Sequence, residues 1–413
     1  MVKKSILTII CIMLVLYSFE GCGKTQKDNV SARIESTERI RLTLLFYYEG
    51  QERFSLINNL CNAFNKEQRE SEAIPEFVPF EELKKKLLTG LAQGDPPDIV
   101  INDIPDYAYL AERGVLGDIT DKIANWQDFR QYYGNSIEAC TYKGRIYGVP
   151  VGENCLELFY NKKMFEQHKL RPPKTWDELR ITAQKLTNKN TNGLGISAQN
   201  SEQGMFQFLT WFYSAGATIK KIDSPESIKA FGYLADLVKD GSMSREIINW
   251  SQADVMKQFA DERIAMMLNG SWQISELKLK APKLKYGIAK IPMDKKSVTI
   301  LGGENISVVN WENQSQAFEF LKFFCKAENV RIFTKSSGYF PSRKDVAVDE
   351  ELTASEAKLF GEDIKNAIPR GPDPNWPEMS KIATNALHEV LTQKKTPEEA
   401  AKWAQDGIEK LGG

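Results

Sequence analysis

The chain holds only two histidines, His168 and His388, among 413 residues. Both fall in stretches of helical spacing, and no Gly-x-Ser-x-Gly or cysteine signature accompanies them, so a nucleophilic triad has little to draw on. His-Glu-x-x-His, a Walker phosphate loop and Gly-x-Gly-x-x-Gly are also missing, which removes the usual signs of zinc hydrolases, nucleotide hydrolysis and dinucleotide binding. Charge of one sign is lacking too: 54 Lys and Arg against 55 Asp and Glu leave a formal net charge of −1, without the basic excess that a nucleic-acid partner requires. The six cysteines form no Cys-x-x-Cys pair, so no metal site is expected, and nothing calls for a cofactor. Internal repeats and low-complexity blocks are absent. What remains, 42% hydrophobic and 26% charged residues over this length, is enough for a large core divided between two lobes.

The single long apolar run, Ile6 to Tyr17, follows Lys3 and Lys4 and falls short of the roughly 20 residues that span a bilayer. It reads as a signal peptide over residues 1–21, with an uncleaved anchor as the alternative. Gly21-Cys22 then resembles a bacterial lipoprotein cleavage site, which implies lipidation of Cys22, although Phe19 and Glu20 depart from that pattern. The polar stretch 22–38 has no capacity to form a core and reads as a tether that holds an extracytoplasmic domain at the cell membrane. Of the cysteines beyond it, Cys61 and Cys325 sit in apolar stripes as small hydrophobes. Cys140 and Cys155 are compatible with a disulfide in an oxidising compartment.

Periodicity gives an α/β pattern. Ile40 to Tyr47 is a strand, and Phe54, Ile57, Leu60, Cys61 and Phe64 recur at helical spacing. Leu83, Leu87, Leu88 and Leu91 repeat the stripe up to Gly94, before Asp98 to Ile101 returns to strand character. Lys143-Gly144 marks a turn between two short extended runs. Leu156 to Tyr160 is a strand, Asn161 caps the next helix, and Thr175 with Glu178 forms a reciprocal cap after Pro172-Pro173. Ser224-Pro225 opens a helix that Gly241 closes, Gln314 to Lys335 is helical, and Thr396-Pro397-Glu398-Glu399 opens the last helix.

Several blocks in this order carry a resemblance: GLAQGDPPDIV, AERGVLGDITD, YKGRIYGVP, LFYNKKMFEQ, FADERIAMMLNGSW, LGGENISVV and SSGYFPSR. The chain resembles the family 1 extracellular solute-binding proteins, the sugar-type binding subunits of bacterial ABC importers. The resemblance implies an α/β, two-lobed periplasmic-binding-protein-like fold of type II, with discontinuous lobes, a hinge and a central ligand cleft. Carried over block by block, residues 39–149 plus 302–342 form lobe one and residues 152–300 plus 343–413 form lobe two. It implies a monomer that is not an enzyme. Such a protein captures a small solute, most simply a sugar or oligosaccharide, and hands it to the permease subunits of an ABC transporter.

A sugar offers apolar faces and many hydroxyls, so its site needs aromatic plates beside planar polar groups. Trp272 matches a position where the family places an aromatic side chain in the cleft, and Asn269-Gly270 reads as a turn that presents it. Glu304 and Asn305 follow Gly302-Gly303, where ligand contact and turn capping are equal readings. Glu153 and Asn154 lie just past the first crossing. Glu49 and Asp103 stand at the carboxyl ends of strands, where open α/β sheets gather ligands. Tyr339, Arg370 and Trp376 complete the candidates, Arg370 also being a natural ion-pair partner and Trp376 a loop-packing residue. Trp211 and Phe212, with Phe206 and Leu209 at helical spacing, read as core. Two rivals stay open: an extracytoplasmic carbohydrate-active enzyme using paired carboxylates, and a sensor that passes its ligand signal to a membrane receptor.

Overall fold

The computed structural model describes residues 39–48, 50–348 and 352–412; Glu49, Cys22 and the signal and tether segments lie outside the described residues. Strands run in chain order as β1 (Ile40–Phe46), β2 (Ser71–Phe77), β3 (Ile99–Asp103), the two-residue pair β4 (Thr141–Tyr142) and β5 (Arg145–Ile146), then β6 (Val149–Asn154), β7 (Leu156–Asn161), β8 (Asn192–Gly195), β9 (Ile264–Gly270), β10 (Tyr286–Ala289), β11 (Ile300–Val308) and β12 (Ile368–Pro369). They form two main sheets. The first has the order β2-β1-β3-β11-β12, with β6 added on β11; the second is β10-β7-β9-β8.

In the first sheet β1 pairs parallel with β2 and β3, while β11 runs antiparallel to β3 and β6. Central parallel strands are covered on both faces and read as unbroken apolar runs. In β1, Leu42, Leu44, Leu45 and Phe46 are accordingly all buried. In the second sheet β9 is buried along its whole length, antiparallel to β7 and parallel to β8. Helices flank both sheets. Trp211, Phe208 and Phe212 of helix Glu202–Ser214 are fully buried, and each such side chain contributes about 1.5–3 kcal/mol relative to exposure.

The chain leaves the first sheet at β6 and enters the second at β7 with only Cys155 between them. It returns at β11, where Thr299 Oγ1 accepts from the Leu156 amide (3.0 Å) and donates to the Leu156 carbonyl (2.8 Å). A third segment joins here, since Phe340 and Glu153 exchange backbone hydrogen bonds and β12 pairs with Ile300 and Leu301. Two sheets joined by closely bound crossing segments make the two-lobed architecture.

Local chemistry follows the sequence in most places. Asn161 Oδ1 accepts from the Met164 amide, Ser224 caps helix Pro225–Lys239, and Thr396 with Glu399 closes a full capping box behind Pro397. Three expectations change. Thr175 caps Glu178, but the Glu178 carboxylate accepts from the Lys174 amide, one residue short of the reciprocal cap. The expected helix 314–335 is two helices, Gln314–Phe324 and Ala327–Ser337, parted where Lys326 turns extended and the Asn329 side chain donates to the Phe323 carbonyl. Cys140 and Cys155 are buried free thiols, so no disulfide joins them.

Candidate ligand-binding site

The ends of these elements meet around a cavity of about 250 Å³. From the first sheet and the segments beside it come Tyr47 and Tyr48, just past β1, Arg53 of helix Gln51–Glu67, Phe80, Asp103 at the end of β3, Asn154 at the end of β6, and Gly303 and Glu304 of β11. Tyr339 follows helix Ala327–Ser337, and Arg370 follows β12. Glu202, Gln203 and Phe206 come from the first turns of helix Glu202–Ser214, Ser251 to Ala253 from the start of another helix, and Trp272 with Gln273 from the end of β9. Strand carboxyl ends and helix starts facing one crevice is the usual place for a ligand in α/β folds.

An aromatic wall forms on one side. The Phe206 and Trp272 rings lie nearly parallel, 27° apart with centroids at 6.2 Å, and Tyr339 meets Trp272 edge-on at 6.5 Å. Trp272 is 9% exposed. Asn269 and Gly270 are not a free turn, as the sequence suggested: they are the last residues of β9, and the turn is at Ser271-Trp272. A Cβ on Gly270 would overlap the Trp272 ring carbons, so only glycine lets this indole fold back over the strand.

A second wall, in contact with the first, is polar and buried. Arg370 holds Asp103 with both terminal nitrogens (2.8 and 2.9 Å) and reaches Glu202 at 2.8 Å, while its guanidinium lies 4.4 Å from the Phe206 ring centre. Burial works against the Arg370 charge, yet Asp103 and Glu202 outweigh it and raise its pKa. Burial likewise pushes Asp103 up to about 6 although Arg370 pulls it down. Glu304 stands opposite Asp103 in the β3–β11 register. Its Oε1 accepts from the hydroxyls of Tyr47 (2.7 Å) and Tyr339 (2.9 Å), and its Oε2 has no partner among the described residues. Burial, and after it the Asp103 charge, push Glu304 up to about 8 against those two hydrogen bonds.

Of the residues singled out from the sequence, Asp103, Asn154, Trp272, Glu304, Tyr339 and Arg370 line the cavity. Three do not. Glu153 accepts from Ser136 beneath the sheet, and burial pushes its carboxyl up to about 7. Asn305 donates to the Ala139 carbonyl at 3.0 Å, and Trp376 donates to Glu202 at 3.1 Å, one layer behind the wall. The sequence reading missed Tyr47, Tyr48, Arg53, Phe80, Glu202 and Gln203, and Phe206, which it read only as part of the core stripe, is buried there and also lines the cavity. The tyrosines carried a usable signal, because they occupy the strand end next to Glu49.

Comparison with known proteins agrees with this architecture. A solute-binding protein from Thermotoga lettingae, solved with alpha-D-tagatose bound, superposes with a TM-score of 0.82 at 28% identity, over 91% of this chain and 100% of that one. A maltose-bound protein from T. maritima gives 0.81 at 23% identity, over 90% and 100%. The galactooligosaccharide-binding protein of Bacillus subtilis is 23% identical over 425 residues, spanning 98% of this chain and 96% of its own. The family profile of bacterial extracellular solute-binding proteins matches residues 59–360. With two lobes around a lined cavity and a profile match over most of its length, the chain belongs to the bacterial extracellular solute-binding protein family.

Proposed function

We propose that the protein binds a sugar or oligosaccharide outside the cytoplasm and delivers it, unaltered, to the permease of an ABC transporter. The observation that carries this reading is that the stacked Phe206–Trp272 wall and a buried wall of hydrogen-bonding side chains line one cavity together. Aromatic faces suit the C–H faces of a sugar, and fixed polar groups suit its hydroxyls. Relatives that bind sugars support the same ligand class. In this reading Asp103, Asn154, Trp272, Glu304, Tyr339 and Arg370 form the binding surface.

Lobe one comprises 39–149 plus 302–342 and lobe two 152–300 plus 343–413. The lobes close about the crossings near Cys155, Thr299 and Phe340, because contacts from both walls are complete only in the closed form. Lipidation of Cys22 anchors the protein, as a monomer, to the membrane. Among the described residues no helix is long and apolar enough to cross a bilayer. An enzymatic role is disfavoured because both oxygens of Asp103, the carboxylate opposite Glu304, are engaged by Arg370.

A thermal-shift screen over mono- and oligosaccharides tests the reading. A ligand at 100 times its dissociation constant adds about 2.7 kcal/mol of stability. No shift with any sugar, or a hydrolysed product from a sugar that does bind, rejects it. Small-angle scattering with saturating ligand tests closure, and an unchanged radius of gyration counts against the hinge.

A further inference from the structure

We propose that Glu304 enters the site as a neutral carboxylic acid whose free oxygen, Oε2, carries a proton and donates it in a hydrogen bond to an oxygen of an uncharged, hydroxyl-bearing solute. The inference deepens the sugar-binding reading and rests on it. Its basis is geometric. Oε1 already accepts two hydroxyl donors, from Tyr47 and Tyr339, so a proton on this carboxyl belongs on Oε2. Among the described residues Oε2 has no partner, Glu304 is only 4% exposed, and it lines the cavity. An unpaired buried oxygen costs free energy that a ligand oxygen would recover.

The surrounding charges agree. The groups facing this carboxyl are Tyr47 and Tyr48 past β1, Arg53 on the first helix, Asp103 on β3, Glu202 on its helix, Tyr339, and Arg370 past β12. Asp103 and Glu202 both bind Arg370, and Arg53, which donates to the Trp272 carbonyl at 3.4 Å, is the other cation. Counted over the described lining residues, three carboxyls face two guanidiniums, so with Asp103 and Glu202 paired to Arg370 as carboxylates the charges cancel when Glu304 is protonated. A balanced, buried site suits an uncharged solute, since any net ligand charge would stand unpaired at low dielectric. The burial that pushes Glu304 up to about 8 leaves it mostly neutral at pH 7, a known way for a protein to turn a carboxyl into a donor.

The test uses the full soluble domain and calorimetric titration with tagatose, maltose and mannobiose as uncharged probes and sn-glycerol 3-phosphate as the anionic one. If Glu304 acts through its proton, affinity for the best uncharged probe falls about tenfold from pH 7 to pH 9, one unit past the Glu304 pKa. Over the same interval, proton uptake on binding, measured in two buffers, rises from about 0.1 to about 0.9. Glu304→Gln places an amide donor where Oε2–H stands, so it should keep the pH 7 affinity within threefold and lose the pH dependence. A wild-type affinity that is flat from pH 7 to 9, or a more than tenfold loss in a folded Glu304→Gln protein at pH 7, overturns the proposal. So does tighter binding of the phosphate probe than of every sugar. The proton-uptake measurement needs no variant, so a misfolded Glu304→Gln protein leaves the test intact. Failure of all three sugars to bind would instead reject sugar binding itself.

Discussion

The two walls of the cavity solve opposite problems. The polar wall buries three carboxyls and a guanidinium, and it is held by bonds that fix each group in place. The aromatic wall has few directional bonds and depends on where one indole ring can lie. Altering the polar wall leaves buried charge without its partner, whereas altering the aromatic wall removes or moves an apolar surface. That contrast suggests how to tell structural residues from binding residues in a site where both are buried.

The largest expected effect comes from Arg370→Met. It strands Asp103 and Glu202 in a dry setting without their counter-charge, and removing one partner of a buried ion pair typically costs about 3–5 kcal/mol. Urea denaturation at neutral pH should show a loss of that order. A loss under 1 kcal/mol would mean the wall is hydrated enough to do without the pair.

A second effect lies behind the polar wall. Glu153 is buried, and burial raises its carboxyl to about 7. Because the folded value lies above the unfolded one, its contribution to stability is fully present below about 4.5 and is lost as pH rises through about 7. Stability measured from pH 4.5 to 8 should decline, by at most about 3 kcal/mol from this group. Glu153→Gln should flatten that part of the curve. An unchanged slope in the variant would assign the decline to Asp103 and Glu304.

How far the sequence reached into this site depends on strand geometry. Neighbours along a strand point to opposite faces, so of Glu153 and Asn154 in β6, and of Glu304 and Asn305 in β11, one member of each pair was bound to turn away. The sequence named both because it located the strands but not their faces. The α/β class, the strand ends and most helix caps were readable from periodicity and local bonding, and the two-lobed arrangement came from ordered blocks of family resemblance. Phe206 was hidden for another reason. A helix with apolar residues on several sides gives no sign of which side meets a cavity, and Phe206 lies among Met205, Phe208 and Leu209, all buried. Glu202 escaped because its role appears only when Arg370, 168 residues later, folds onto it.

On the aromatic wall, Trp272→Ala should weaken sugar binding by tenfold or more and, because the ring is also buried in the core, cost about 3–5 kcal/mol of stability. A tenfold loss corresponds to about 1.4 kcal/mol of lost contact. Titration of the best probe from the screen gives the number, and unchanged affinity would remove Trp272 from the binding surface.

Gly270→Ala asks a finer question, whether the wall needs the indole or needs it in this position. A methyl at 270 overlaps the ring where it now lies, so the ring must rotate out of its stack on Phe206. The tryptophan remains, its area remains, and only its placement changes. Affinity should then fall by about three- to tenfold, less than for Trp272→Ala, because a displaced ring still covers part of the solute. Tryptophan fluorescence should shift in the unliganded protein as the ring gains water. If affinity holds while the emission shifts, the aromatic wall works as a loose apolar surface, and specificity belongs to the polar wall alone.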